Sequence, residues 1–123
     1  MIKKRKVVIV GAGNVGASTA FCMINQGICD EIVLIDMNTE RAKGETLDMI
    51  HSIAFMNRNM QIKLGDYTDC KDADVLVITA SAPMGKENDR LVALNQVQKL
   101  LQVLFQVQWK MVLMDLLWLF QIQ

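Results

Sequence analysis

Six residues, Gly11-Ala12-Gly13-Asn14-Val15-Gly16, restrict the fold of this 123-residue chain more than any other feature. They follow Lys6–Val10, a short run dense in β-branched side chains, which suits a strand buried on both faces. They lead into Val15–Gln26, where Val15, Ala20, Phe21, Cys22 and Ile24 recur at helical spacing. A turn from strand to helix needs each glycine for a different reason. Gly11 permits the tight turn, Gly13 lets a ligand reach the backbone with no Cβ in the way, and Gly16 lets helix and strand pack closely. The helix start then offers unpaired N–H groups and a partial positive charge, which suit a phosphate. Gly27 reads as the C-cap of that helix.

The same alternation continues along the chain. Glu31–Ile35 reads as a second buried strand, and Asn38 or Thr39 can cap a helix from about Glu40 to Ala54. Gln61–Leu64 is a weaker strand, and Asp72–Asp74 leads into a clear one at Val75–Thr79. Strands alternating with helices predict a parallel sheet covered on both faces. Asp36 lies at the end of the second strand, 20 residues beyond Gly16. A carboxylate there can accept both ribose hydroxyls of an adenosine and repels a 2′-phosphate, which favours NAD over NADP. The expected fold class is α/β: a Rossmann-type doubly wound parallel sheet, incomplete at about four strands, with an apolar C-terminal helical tail.

Bulk properties narrow the function classes. Formal net charge is zero, which argues against nucleic acid or an acidic membrane as partner. Lys3-Lys4-Arg5-Lys6 reads as a solvated leader to the first strand rather than an export signal, because glycines interrupt the apolar stretch behind it. Cys22, Cys29 and Cys70 are odd in number and lack metal-ligand spacing. They read as reduced, partly buried thiols, with the cytoplasm as compartment and no metal site. Residues 91–123 carry only Lys99, Lys110 and Asp115 as charges, with seven glutamines and neither glycine nor proline. Arg90 to about Leu101 fits a helix, and beyond it the periodicity blurs. The stretch 100–120 is long enough to span a bilayer, but its glutamines, Lys110 and Asp115 make insertion costly.

Together, GAGNVGAS, NQGICDEIVLID, GDYTDCKDADVLVITASAP and the ENDRL that follows resemble the N-terminal half of bacterial L-lactate dehydrogenases and of relatives acting on bulkier 2-oxo acids. The likeness runs from Lys6 to about Leu94, so residues 1–94 are expected to form the dinucleotide-binding part and 95–123 an atypical apolar tail. The resemblance implies that Gly11, Gly13, Asn14, Val15 and Gly16 form the pyrophosphate turn and that Asp36 holds the adenine ribose. It implies that Arg41 lies near the adenosine and that Tyr67 lines the adenine pocket. It places Thr79, Ala80, Ser81 and Ala82 beneath the nicotinamide-side ribose, with Ser81 where the family usually has glycine. It matches Arg90 to the mobile-loop arginine that polarises the substrate carbonyl, a task suited to a permanent, rigidly forked charge. Met84 falls at the position that reads the substrate side chain, where an apolar, flexible residue suits a group bulkier than that of pyruvate. The implied partners are a 2-oxo or 2-hydroxy acid and further copies of the chain, often a tetramer in this family.

Hydride transfer to a ketone needs an acid for the developing alkoxide and a cation for the substrate carboxylate. The family takes a His–Asp pair and a second arginine from the half that follows. The one histidine here, His51, falls in the second helix as a surface or packing residue. The catalytic domain is expected to be absent and this chain alone inactive. The family also expects a Gly-Phe-x-Gly turn and a strand ending in Asn-Pro after Leu94. Read from the third base of each codon, Met111–Val112 forces a glycine and Met114–Asp115 forces a second three positions on. Phe120–Gln121 forces Ser or Pro, Gln121–Ile122 forces Asn or Asp, and Ile122–Gln123 allows Pro. Residues from about Asn95 are therefore expected to reflect a one-base frameshift. Three readings follow: a piece of a lactate-type L-2-hydroxyacid dehydrogenase, with malate dehydrogenase second because position 84 is not arginine; a module that holds NAD without catalysis; or a truncated product without function.

Overall fold

The computed structural model describes residues 3–80 together with Gln98 and Gln102. Its elements run β1 (Lys6–Val10), α1 (Asn14–Gln26), β2 (Glu31–Ile35), α2 (Thr39–Ile53), β3 (Gln61–Leu64), a 3-10 helix (Tyr67–Asp72) and β4 (Val75–Ile78). The four strands form one parallel sheet in the order β3-β2-β1-β4. That order places β1 at the centre, with Val8 opposite Val33 on one side and Leu76 on the other. A central parallel strand has apolar neighbours above and below as well as at both edges, so every residue of β1 is buried.

Each sheet face has its own core. On one face Val7, Ile9, Ile32, Leu34, Ile62 and Val77 pack with Ala20 and Ile24 of α1 and Met49 of α2. On the other, Val8, Val10, Val33, Ile35, Leu76 and Ile78 pack with Cys70 of the 3-10 helix. The buried stripe of α1 is Gly16, Ala20 and Ile24, a strict four-residue spacing that lays one narrow face on the sheet. Val15, Phe21 and Cys22, part of the apolar pattern in the sequence, lie on the outer side instead. In α2 the stripe is Ala42, Thr46 and Met49, and the Thr46 hydroxyl satisfies itself on the Ala42 carbonyl at 2.7 Å. Asn38 caps α2 by accepting from Arg41 N, while Gly27 closes α1 in the left-handed region at φ 61°. Both assignments agree with the sequence reading.

Three expectations change. The basic leader is not simply solvated: Lys6 is buried, and its Nζ sits 2.6 Å from Asp72 and 3.5 Å from Asp69. Lys3 pairs with Asp74 and Arg5 with Asp30, so the leader clamps the N-terminal edge of the sheet. The thiols are not alike either, since Cys22 is exposed whereas Cys29 and Cys70 are buried. Finally, residues before β4 form a 3-10 helix that the hydrophobic pattern did not reveal. Its start is a capping box between Asp66 and Asp69, a purely polar signal. The apolar tail from 95 onward lies outside the described residues, apart from Gln98 and Gln102, which are helical and exposed.

Candidate functional site at the glycine turn

At the carboxyl end of the sheet the chain leaves β1, turns through Gly11–Gly13 and enters α1. Gly11 adopts φ 106°, a conformation that side chains rarely tolerate, and its N–H donates to the Ile35 carbonyl at 2.7 Å. A Cβ on Gly11 would also meet Ala80 N at 2.6 Å, and one on Gly16 would collide with the Gly11 carbonyl oxygen. Those two glycines are therefore required by the fold. Gly13 is different. Its backbone, at φ −72° and ψ −173°, is ordinary extended chain, and a Cβ there would meet nothing within 4 Å. Gly13 is the N-cap of α1, where glycine is favoured over alanine, but no contact excludes a side chain there, so its backbone is left open to a ligand.

Helix α1 begins without a side-chain cap and with no acidic residue in its first turn. Its first N–H groups have no intrahelical acceptors, and the helix dipole adds positive potential where they point. By contrast, the N-termini of α2 and of the 3-10 helix are both capped by side chains. An uncapped start beside an open glycine suits the diphosphate of a dinucleotide in polarity and donor type.

Asp36 stands across the turn, half-buried at the end of β2. One carboxylate oxygen accepts from Ala12 N at 2.6 Å and the other from Asn38 N at 2.8 Å. An ionised carboxylate has about four acceptor sites, so two remain for sugar hydroxyls. Arg41, on the first turn of α2, donates to the Asn14 side chain at 3.0 Å and so bridges the two helix starts. Tyr67 is partly exposed; burial raises the pKa of its phenol, and Cys70 and Asp36 add to the effect. Thr79 follows β4, with its N–H on the Val10 carbonyl at 2.8 Å and its hydroxyl 3.0 Å from the Gly11 carbonyl.

Hydrogen bonds and close contacts thus gather Gly11, Ala12, Asn14, Gly16, Asp36, Arg41, Thr79 and Ala80 around the turn, with Gly13 and Val15 in the same stretch of chain and Tyr67 opening the 3-10 helix. Ser81, Ala82, Met84 and Arg90 lie outside the described residues. Sequence reasoning missed the backbone partners of Asp36, Ala12 and Asn38; a strand-end aspartate two residues before an asparagine was the available signal. His51 sits exposed near the end of α2, whereas it is the start of that helix, at Arg41, that contacts the turn segment. Among the described residues no group of His, Cys, Asp and Glu could hold a metal ion, and no helix is long and apolar enough to cross a membrane.

Comparison with known proteins agrees with this geometry. The chain is 43% identical over 101 residues to L-lactate dehydrogenase 2 of Lactococcus lactis, covering 82% of this chain and 32% of that protein. A lactate dehydrogenase from a Medee basin deep-sea metagenome library superposes with a TM-score of 0.79 at 38% identity, covering 91% of this chain and 37% of that one. The lactate dehydrogenase of Cryptosporidium parvum, crystallised with lactic acid and nicotinamide adenine dinucleotide, superposes with a TM-score of 0.72 at 30% identity over 85% of this chain and 33% of that one. The chain spans about a third of the length of the relatives it matches. Residues 5–112 match the family described as lactate/malate dehydrogenase, NAD binding domain, and with the parallel 3-2-1-4 sheet, the glycine cradle and the strand-end aspartate in place, the chain belongs to that family.

Proposed function

We propose that this chain holds NAD for a lactate-type L-2-hydroxyacid dehydrogenase, of which it is the cofactor-binding part. The observation that carries the reading is the cradle at Gly13, open to a ligand beside an uncapped helix start and faced by Asp36. The N–H groups at the start of α1 would take the diphosphate, with Gly13 providing clearance and Gly11 and Gly16 holding the turn. Asp36 would accept the adenosine ribose hydroxyls, and Arg41, Val15 and Tyr67 would border the adenosine. Thr79, Ala80, Ser81 and Ala82 would lie on the nicotinamide side. When bound, the cofactor supplies the hydride exchanged with a 2-oxo or 2-hydroxy acid. Arg90 would polarise the substrate carbonyl and Met84 would face its side chain, favouring acids bulkier than pyruvate; both roles rest on the resemblance.

In this reading residues 1–94 form the binding unit, the parent enzyme is a cytoplasmic homo-oligomer, and the chemistry belongs to the parent. The residues from about Asn95 onward are read as frame-shifted on their codon pattern, although the family match extends to residue 112, and the nucleotide sequence decides between them. Titration of the chain with NADH and NADPH, followed by nicotinamide fluorescence, tests the binding. NADH should bind at least tenfold more tightly, because a 2′-phosphate would meet the Asp36 carboxylate. Equal binding of the two would refute the role of Asp36, and binding of neither would refute the reading as a whole.

A further inference from the structure

The hydroxyl of Thr79 has one proton, and the structure gives it two carbonyl neighbours from the opposite segment of chain: Gly11 O at 3.0 Å and Val10 O at 3.4 Å. The shorter contact lies at the long end of the O–H···O range and the longer one outside it, so the Gly11 carbonyl is the acceptor. Thr79 Oγ1 would also lie 2.7 Å from a Cβ on Gly16, so the hydroxyl is wedged where the turn and the first turn of α1 come together. The Gly11 carbonyl itself is the group a Gly16 side chain would strike. The end of β4, distant in sequence, therefore meets the turn and the adjoining start of α1 at a single carbonyl oxygen.

We propose that Thr79 is a positioning residue for cofactor affinity: its hydroxyl latches the Gly11 carbonyl and thereby fixes the α1 N-terminus that receives the diphosphate. The latch acts through the turn, not by contact with the nicotinamide-side ribose. The proposal rests on the NAD-binding reading for its effect on affinity, but not for the latch. Thr79 N–H already anchors the end of β4 to Val10, so the hydroxyl is not needed for strand pairing. Its removal should leave the sheet intact and loosen only the turn.

The test compares Thr79→Val, Thr79→Ala and Thr79→Ser in the full chain. Valine places a methyl against the Gly11 carbonyl, and alanine removes the hydroxyl without that crowding, so the alanine variant decides the matter where valine impairs folding. Two readouts are needed. Amide hydrogen exchange should accelerate about tenfold over residues 11–16 in the alanine variant and stay unchanged in β2. NADH and ADP, which both carry a diphosphate, should each bind about five- to tenfold more weakly, with serine restoring both readouts. Unchanged exchange at the turn overturns the latch. Accelerated exchange with undiminished NADH and ADP binding overturns its bearing on affinity. A wild-type chain that binds neither ligand overturns the cofactor reading and that bearing together, while the exchange data still decide the latch.

Discussion

Gly13 and Gly16 are three residues apart in one motif, yet the structure predicts opposite consequences for adding a single methyl group to each. At Gly16 the new Cβ would collide with the Gly11 carbonyl and approach the Thr79 hydroxyl to 2.7 Å, with backbone on one side and a hydrogen-bonded side chain on the other. Neither neighbour can rotate away, so the turn or α1 must shift. Overpacking of this kind costs about 1–3 kcal/mol, offset by up to about 1 kcal/mol from the better helix propensity of alanine. A net loss of about 1–2 kcal/mol should lower the unfolding midpoint by roughly 4–16 °C, at about 4–8 °C per kcal/mol for a domain of this size. At Gly13 the backbone is ordinary extended chain and the Cβ meets open space, so Gly13→Ala should cost no more than about 1 kcal/mol, the difference between glycine and alanine at a helix N-cap. The same methyl would stand where the diphosphate approaches the backbone, and NADH affinity should fall by at least about tenfold, or roughly 1.4 kcal/mol. Thermal denaturation and NADH titration of the two variants separate the effects. Equal destabilisation by both substitutions, or full NADH affinity in Gly13→Ala, would refute the assignment of the open glycine to a ligand.

Other consequences follow from the charged clamp and the core. Hydrogen bonds from Lys63 and Lys6 hold the carboxyls of Asp69 and Asp72 below the usual carboxylate range, and the backbone and side chain of Arg5 do the same for Asp30. A depressed native pKa stabilises the fold above the unfolded value near about 4, and that contribution disappears as pH falls through the native values. Urea midpoints should therefore be level from neutral pH to about pH 5 and drop below about pH 4, and the drop should shrink in Asp72→Asn; a flat profile down to about pH 2 would contradict the clamp. Burial works against the Lys6 ammonium, but the hydrogen bond and charge of Asp72 outweigh it and raise its pKa. That contribution is present below about pH 10 and lost as pH rises through the higher native value, giving a second decline at strongly alkaline pH. Ile24→Ala, which empties a fully buried site between α1 and the sheet, should cost about 2–5 kcal/mol in chemical denaturation.

Strand and helix positions were legible in the residues because they rest on local causes. Lys6–Val10, Glu31–Ile35 and Gln61–Leu64 were each placed at the bounds observed; in the first two, runs rich in β-branched residues ending at Gly11 and Asp36 declare a buried parallel strand without reference to its partners, whereas the third, with only Ile62 buried, carried a weaker signal. Gly27 and Asn38 declared the ends of helices in the same way. The glycine motif and Asp36 pointed to a dinucleotide because their spacing carries the geometry of a strand–turn–helix unit. The 3-10 helix escaped because its stability comes from side-chain to backbone bonds at Asp66 and Asp69, which leave no periodic hydrophobic trace.

The amino-acid order by itself determined the strands, the two long helices, the parallel class and the kind of ligand the turn can take. Only the folded chain decided which glycine serves packing and which serves clearance, that Lys6 is buried against Asp72, and that Asp36 is tied to Ala12 and Asn38 before any sugar arrives. The reason is reach: each of these facts depends on atoms brought within a few ångströms across tens of residues, as Thr79 meets Gly11 at a separation of 68. Local propensity acts over one or two turns of chain, so it cannot specify which groups from distant segments share a carbonyl oxygen or an ion pair.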